Sequence, residues 1–320
     1  MRRFARLLLA CGAVLALEHA TPAQALNVKS YVSNRGSNSN PCTLAQPCAT
    51  FQHAHEQTTP GGEVGTLTAG DYGPVFVTRS IAITNDGSGE AAIAAGAGVQ
   101  VFAGLGDVVS LRGLVVDGHG AGGGIGIYFA IGSALHVQNC VVRNFESDLG
   151  SQGILYLADT AQLFVSDTMI FNNGSGAVSG GIVVISGLGP AKVVLDRVHL
   201  ENNVDGLLIL GRNQFVGSVL VVVRDSVISG NASNGVHALT QAGAAPAFAL
   251  VERSAIVNNR QNGILADGPG ATVLLSDSAV VRNNAGIITT NSGQLISYGN
   301  NRVNNNVGPD GVPTSFYTLN

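Results

Sequence analysis

The stretch Leu220-Val-Val-Val-Arg-Asp-Ser-Val-Ile-Ser-Gly-Asn231 returns as Ala247-Phe-Ala-Leu-Val-Glu-Arg-Ser-Ala-Ile-Val-Asn-Asn259 and as Ala271-Thr-Val-Leu-Leu-Ser-Asp-Ser-Ala-Val-Val-Arg-Asn-Asn284. Each copy reads as an apolar run, two polar residues, a small residue, a second short apolar run, then Asn. Three earlier copies occupy 134–145, 161–173 and 191–203. The small-residue column runs Cys140, Thr168, Val198, Ser226, Ser254, Ser278 and Asn300, at spacings of 28, 30, 28, 28, 24 and 22. A second column, Gly153, Gly181, Gly206, Gly235, Gly263 and Gly286, opens the following apolar run, and a third is Asn144, Asn173, Asn203, Asn231, Asn259 and Asn283. Three columns sharing one drifting period mark a repeat architecture. Apolar runs of three to five residues separated by Gly and Asn leave no room for helices, so each repeat is expected to be one turn of a strand-only coil.

Coils of this kind stack in parallel at about 4.8 Å, which turns each column into a ladder of like side chains. Asn recurring at a bend can satisfy backbone groups there through its amide. The strong preference for right-handed crossovers between parallel strands predicts a right-handed coil. Charged residues support the same register. The position before the small residue runs Asn139, Asp167, Arg197, Asp225, Arg253, Asp277, and the one before that Gln138, Ser166, Asp196, Arg224, Glu252, Ser276. Signs alternate down both columns, so neighbouring coils pair opposite charges and resist slippage. The expected fold is all-β: a right-handed parallel β-helix with a short N-terminal capping helix at 50–57, where His53 and His55 are read as solvated or capping. Less regular coils lie upstream in 75–83, 91–101 and 108–116. The tail 304–320, with Phe316 and Tyr317, is expected to fold over the far end. The resulting division is a leader (1–25), an N-terminal segment and cap helix (26–63), the coils (64–303) and a C-terminal tail (304–320).

The leader has a basic start (Arg2, Arg3, Arg6), an apolar run at 7–17 and a small-residue exit, Ala23-Gln24-Ala25, the pattern of a signal peptide cleaved after Ala25. Secretion, to the periplasm, the cell surface or beyond, is therefore expected. Leu8-Leu9-Ala10-Cys11 is a poor lipoprotein box because too little apolar sequence precedes the cysteine. No later run is long enough to span a bilayer. Three arginines and one glutamate leave with the leader, so the formal charge moves from −4 to about −6, which disfavours nucleic acid as a partner. Cys42 and Cys48, six apart in a Pro-containing loop of an exported chain, are expected to form a disulfide, with metal ligation as the lesser alternative. Cys140 falls in the small-residue column and is expected to be buried.

These coils resemble the right-handed parallel β-helix repeat proteins of bacteria, within the broad pectin-lyase-like fold group. The segment Tyr31-Val-Ser-Asn-Arg-Gly-Ser-Asn-Ser-Asn-Pro-Cys42, with Pro47-Cys-Ala-Thr-Phe51 and Pro60-Gly-Gly-Glu-Val64, is similar to the start of such proteins. The resemblance spans about 28–306 and implies the fold. It leaves function open, because the group holds polysaccharide lyases, hydrolases, esterases and adhesins. Asp117-Gly-His-Gly120 matches an element of polygalacturonase-like hydrolases, but the paired carboxylates that inverting hydrolysis needs are missing around it. Gly118-His-Gly-Ala-Gly-Gly123 lacks the helix of a nucleotide site, and there is no Gly-x-Ser-x-Gly elbow. A pectate-lyase mechanism requires Ca²⁺ held by several carboxylates and a nearby Arg or Lys base. The candidate groups are Asp117, His119, Arg143, Glu146 and Asp148, in two consecutive coils. The leading expectation is a rigid scaffold that binds polysaccharide or cell-surface glycan and uses no cofactor. The alternative is a polysaccharide lyase or glycoside hydrolase acting on an acidic polysaccharide, with Ca²⁺ under the lyase reading only. Aromatic residues are 5% of the chain, which argues against a sugar-stacking platform.

Overall fold

The computed structural model describes residues 26–119, 124–146, 150–185, 187–212 and 217–318. The leader lies outside them. The chain is a parallel β-helix whose strands form three sheets of twelve, nine and ten strands, here sheets A, C and B. One coil shows the plan: Val219–Arg224 lies in sheet A, Val227–Ser229 in sheet B and Val236–Thr240 in sheet C. Each strand pairs in parallel with its counterpart one coil away, as in Val221↔Ala249, Ile228↔Ile256 and Val236↔Ile264. Alternation along the strand points Val221, Val223, Ile228, Val236 and Ala238 inward, where all are buried. The core is thus a stack of apolar columns running the length of the helix.

Both bends beside sheet B need a left-handed residue. At the A-to-B bend these are Asn139, Asp167, Arg197, Asp225, Arg253 and Asp277, with φ between 43° and 52°. The charge ladder therefore sits on the bend, as its pairing predicts. Arg197 Nε meets Asp167 at 2.7 Å, Arg224 Nε meets Asp196 at 3.0 Å and Arg253 Nε meets Asp225 at 2.9 Å. Hydrogen bonding to Arg197 holds the Asp167 carboxyl below its usual range despite some desolvation. Asp196 differs from the exposed bend residues Asp167, Arg197, Asp225 and Arg253. It is buried between Arg197 and Arg224.

The small-residue column proves to be a hydroxyl ladder. Val198 N donates to Ser226 Oγ, Ser226 N to Ser254 Oγ and Ser254 N to Ser278 Oγ, at 3.1–3.2 Å. It ends on Asn301, which accepts from Ser278 N at 2.9 Å, and not on Asn300 as the spacing suggests. Cys140 holds the same place near its start, and burial pushes its thiol pKa up to about 11, so it is an inert filler of the column.

At the B-to-C bend the asparagine ladder runs Asn173, Asn203, Asn231, Asn259, Asn283, Asn306. Each backbone N–H donates to the next Asn Oδ1 at 2.9–3.1 Å. Asp310 closes it by accepting from Asn306. Asn144 does not belong to it, a correction to the alignment. Phe145 holds the inward place and its N–H starts the ladder on Asn173 Oδ1, while Asn144 falls on the left-handed bend position. The glycine column stands against this ladder, and an added Cβ at Gly153, Gly181, Gly206, Gly235, Gly263 or Gly286 would lie within 3.0 Å of an Asn Nδ2.

At the N-terminal end, Asn27–Val32 and Thr58–Thr66 already belong to sheet A, so the segment before residue 64 is part of the coil stack. Between them, Phe51–Glu56 forms a helix, α1, with Thr50 Oγ1 accepting from His53 N at its N-cap. Cys42 and Cys48 are joined by a disulfide. His55 corrects the sequence reading. It is 1% exposed, and its Nε2 accepts from Thr78 N at 3.3 Å. Desolvation first, and Arg79 second, lower its pKa to about 4. A histidine whose folded pKa lies below its unfolded value contributes stability that is complete above pH 6.5 and is lost as the pH falls toward 4. The expected loss is up to about 3 kcal/mol at about 1.4 kcal/mol per pH unit. In urea titrations at pH 7 and pH 4.5, His55→Leu should show a smaller drop between the two conditions than the parent. Equal drops would remove His55 as a source of acid sensitivity.

At the other end, Ser315–Phe316 adds to sheet A, and Pro309 and Asp310 accept backbone N–H groups of Gly286 and Ile287 along the edge of sheet C. The tail covers these edges with its backbone, while the rings of Phe316 and Tyr317 stay mostly exposed.

Candidate functional site

Asp117 ends the strand Leu114–Asp117 and Arg143 ends Val141–Arg143 one coil later, and the parallel register sets them side by side. Arg143 Nε donates to Asp117 Oδ2 at 2.7 Å. Asp117 Oδ1 accepts from Asn144 Nδ2 at 3.0 Å and from His119 N at 2.9 Å. His119 adopts a left-handed conformation with φ 52°, and its exposed ring places Nδ1 3.8 Å from Asp117 Oδ1. Gly118 between them packs against the next coil, where an added Cβ would stand 2.4 Å from Asn144 O. The structure thus brings Asp117, His119 and Arg143 together. Glu146 is exposed, with no ion pair to the other three, and Asp148 and Gly120 lie outside the described residues.

Burial alone would raise the Asp117 pKa. Hydrogen bonds from Asn144, the His119 amide and Arg143 outweigh it and hold the carboxyl below the usual carboxylate range. Such a group stays ionised and is a poor general acid. A single carboxylate already paired with Arg143 also falls short of the several that calcium takes. Among the described residues, the group of three His, Cys, Asp or Glu ligand atoms within 4.8 Å of one another is Cys42, Cys48 and His53. Both sulfurs there are spent in the disulfide. The described residues therefore do not fit the several-carboxylate calcium cage that a lyase of the pectate type requires.

A second polar pair escaped the sequence reading. His237 Nδ1 lies 3.1 Å from Asp205 Oδ2, and Asp205 Oδ1 accepts from Asn234 N and Nδ2 at 2.8 and 3.0 Å. The buried His237 Nε2 has no hydrogen-bond partner among the described residues. On the sheet its register neighbours are Leu208 and Leu265, so no hydroxyl nucleophile stands beside it there. A signal was present in the sequence: Asp205 and Asn234 both precede a glycine of the repeat column, which places them in adjacent coils.

No family model and no curated protein matches the chain. Among solved structures it is similar to pectate lyase Pel9A, with a TM-score of 0.58 at 15% identity over 92% of this chain and 82% of that one. A rhamnogalacturonan lyase gives a TM-score of 0.45 at 13% identity, covering 87% of each chain. The first likeness shows the fold, a parallel β-helix, and the fold alone.

Proposed function

We propose that this protein is an exported, polysaccharide-binding β-helix that holds a glycan chain without cleaving it. The carrying observation is the Asp117 carboxylate, whose two oxygens accept three protein hydrogen bonds. The group best placed to do lyase or hydrolase chemistry is thereby committed to joining two coils. Support for a glycan as the ligand comes from the fold shared with pectate lyase Pel9A, a protein named for acting on a polysaccharide. Support for export comes from the leader and from the Cys42–Cys48 disulfide, a bond that persists in oxidising compartments.

The test is a product screen. Residues 26–320 are incubated with acidic and neutral polysaccharides, with and without Ca²⁺, and both reducing ends and the absorbance of unsaturated uronates are followed. The expected result is no product above a heat-inactivated control. Product that disappears in Arg143→Ala or Asp117→Asn protein would overturn the proposal in favour of a lyase or hydrolase centred on that pair.

A further inference from the structure

The low aromatic content conceals where the aromatic residues go. On the outer face of sheet C, Phe76, Gln100 and Tyr128 follow one another in register on the strands Val75–Val77, Ala97–Phe102 and Ile125–Ile131. Phe102 stands beside this row, stacked on Phe76 at 5.1 Å and 20° and meeting Tyr128 edge-on at 5.4 Å. Phe76 is 44% exposed. Two hollows, of about 430 and 200 Å³, lie on this face and share Ala97 and Gln100. One is also lined by Thr50 and Gln52 near the start of α1, and the other reaches Tyr128.

Three features define what would fit. Phe76 and Tyr128 are two coils apart, about 10 Å at 4.8 Å per coil, so they offer ring surface along an extended chain and not to a single compact ligand. Gln52 is occupied, accepting from Phe76 N and donating to Glu56. The Gln100 carboxamide and the Tyr128 hydroxyl form no hydrogen bond to another described residue, which leaves a donor–acceptor pair between the rings. None of the described residues lining either hollow is charged. Aromatic faces attract the polarised C–H bonds on the apolar side of a sugar ring, while amide and phenol groups meet its hydroxyls. A uronate carboxylate would find no cation there and would lose its hydration uncompensated.

Resting on the glycan-binding reading, we infer that the groove over Phe76, Gln100 and Tyr128 is an oligosaccharide subsite selective for neutral sugar residues. Binding is measured by calorimetry with neutral hexaoses of glucose, xylose, mannose and galactose and with hexagalacturonate, on residues 26–320. At least one neutral hexaose should bind, and Phe76→Ala and Tyr128→Ala should each weaken it by about tenfold, the effect of losing one stacked ring. Gln100→Ala and Tyr128→Phe remove the polar handles with little change in packing and should also weaken binding, so the inference stays testable if an alanine variant misfolds. Hexagalacturonate binding that all four variants leave unchanged, with no neutral ligand bound, would overturn the subsite while sparing the glycan-binding reading. No binding of any hexaose would overturn both.

Discussion

Gly206→Ala is expected to destabilise the protein by about 4 kcal/mol, at the upper end of what forced overpacking costs. The added Cβ would lie 2.5 Å from Ile228 Cγ2, 2.6 Å from Gly235 O and 2.9 Å from Asn231 Nδ2. The carbonyl belongs to the next coil and cannot yield without breaking the parallel ladder. Nor can the amide, which is held at both ends by neighbouring coils. Gly106→Ala is the matched control, since nothing lies within 4 Å of its added Cβ. Urea midpoints of the two variants read the difference. A shift in Gly206→Ala no larger than in Gly106→Ala would mean that the coils are not stacked as closely as the structure places them.

Asn231→Ala should cost about as much, roughly 3–5 kcal/mol, through orphaned hydrogen-bonding groups and not through crowding. Its Oδ1 accepts from Asn203 N at 2.9 Å and from Asn203 Nδ2 at 3.3 Å, while its Nδ2 donates to Leu200 O at 3.1 Å and to Asn259 Oδ1 at 2.8 Å. Removing the side chain leaves the buried Asn203 N–H with no partner, worth about 1–3 kcal/mol, and takes from the Leu200 carbonyl the second hydrogen bond it accepts beside the strand ladder. Asn284, exposed and adjacent to the ladder residue Asn283, supplies the comparison, and Asn284→Ala should stay within about 0.5 kcal/mol of the parent. Local opening is the second readout. Amide exchange should rise first at Asn203, directly across the gap. Uniform acceleration over all coils would argue that the ladder carries no local share of the stability.

The sequence made the repeat legible because a solenoid writes its contacts as columns. Gly206 and Gly235 meet because they occupy the same place in successive coils, and the same logic pairs Arg253 with Asp225. Misreadings arose where one residue displaced another within a column. Asn144 looks like the first rung of the ladder, yet Phe145 fills the inward place and pushes Asn144 onto the bend. Asn300 and Asn301 are adjacent and chemically identical, so only the register of Arg302 with Ala279 decides between them. The small-residue column was read for size, whereas its oxygen atoms are what join the coils.

Site residues were legible to a different degree. Asp117 and Arg143 are 26 positions apart, close to one coil, so their meeting could be foreseen. That the carboxylate would gather three protein donors could not, because Asn144 and the His119 amide depend on two left-handed residues whose conformation the sequence does not announce. His55 reads as a solvated helix residue until Thr78 is seen to bury it. The aromatic groove was hidden by averaging: 5% aromatic content says nothing of Phe76, Phe102 and Tyr128 sharing one face.

In the proposed function the β-helix holds polysaccharide and leaves it intact. Affinity electrophoresis of residues 26–320 through gels containing neutral or acidic polysaccharide, with the polymer then recovered and sized, tests it most directly. The account expects at least one polysaccharide to retard the protein, equally in the presence of Ca²⁺ and of a chelator, and to be recovered at its original length. Retardation by none of them, or recovery of a shortened polymer, would contradict it.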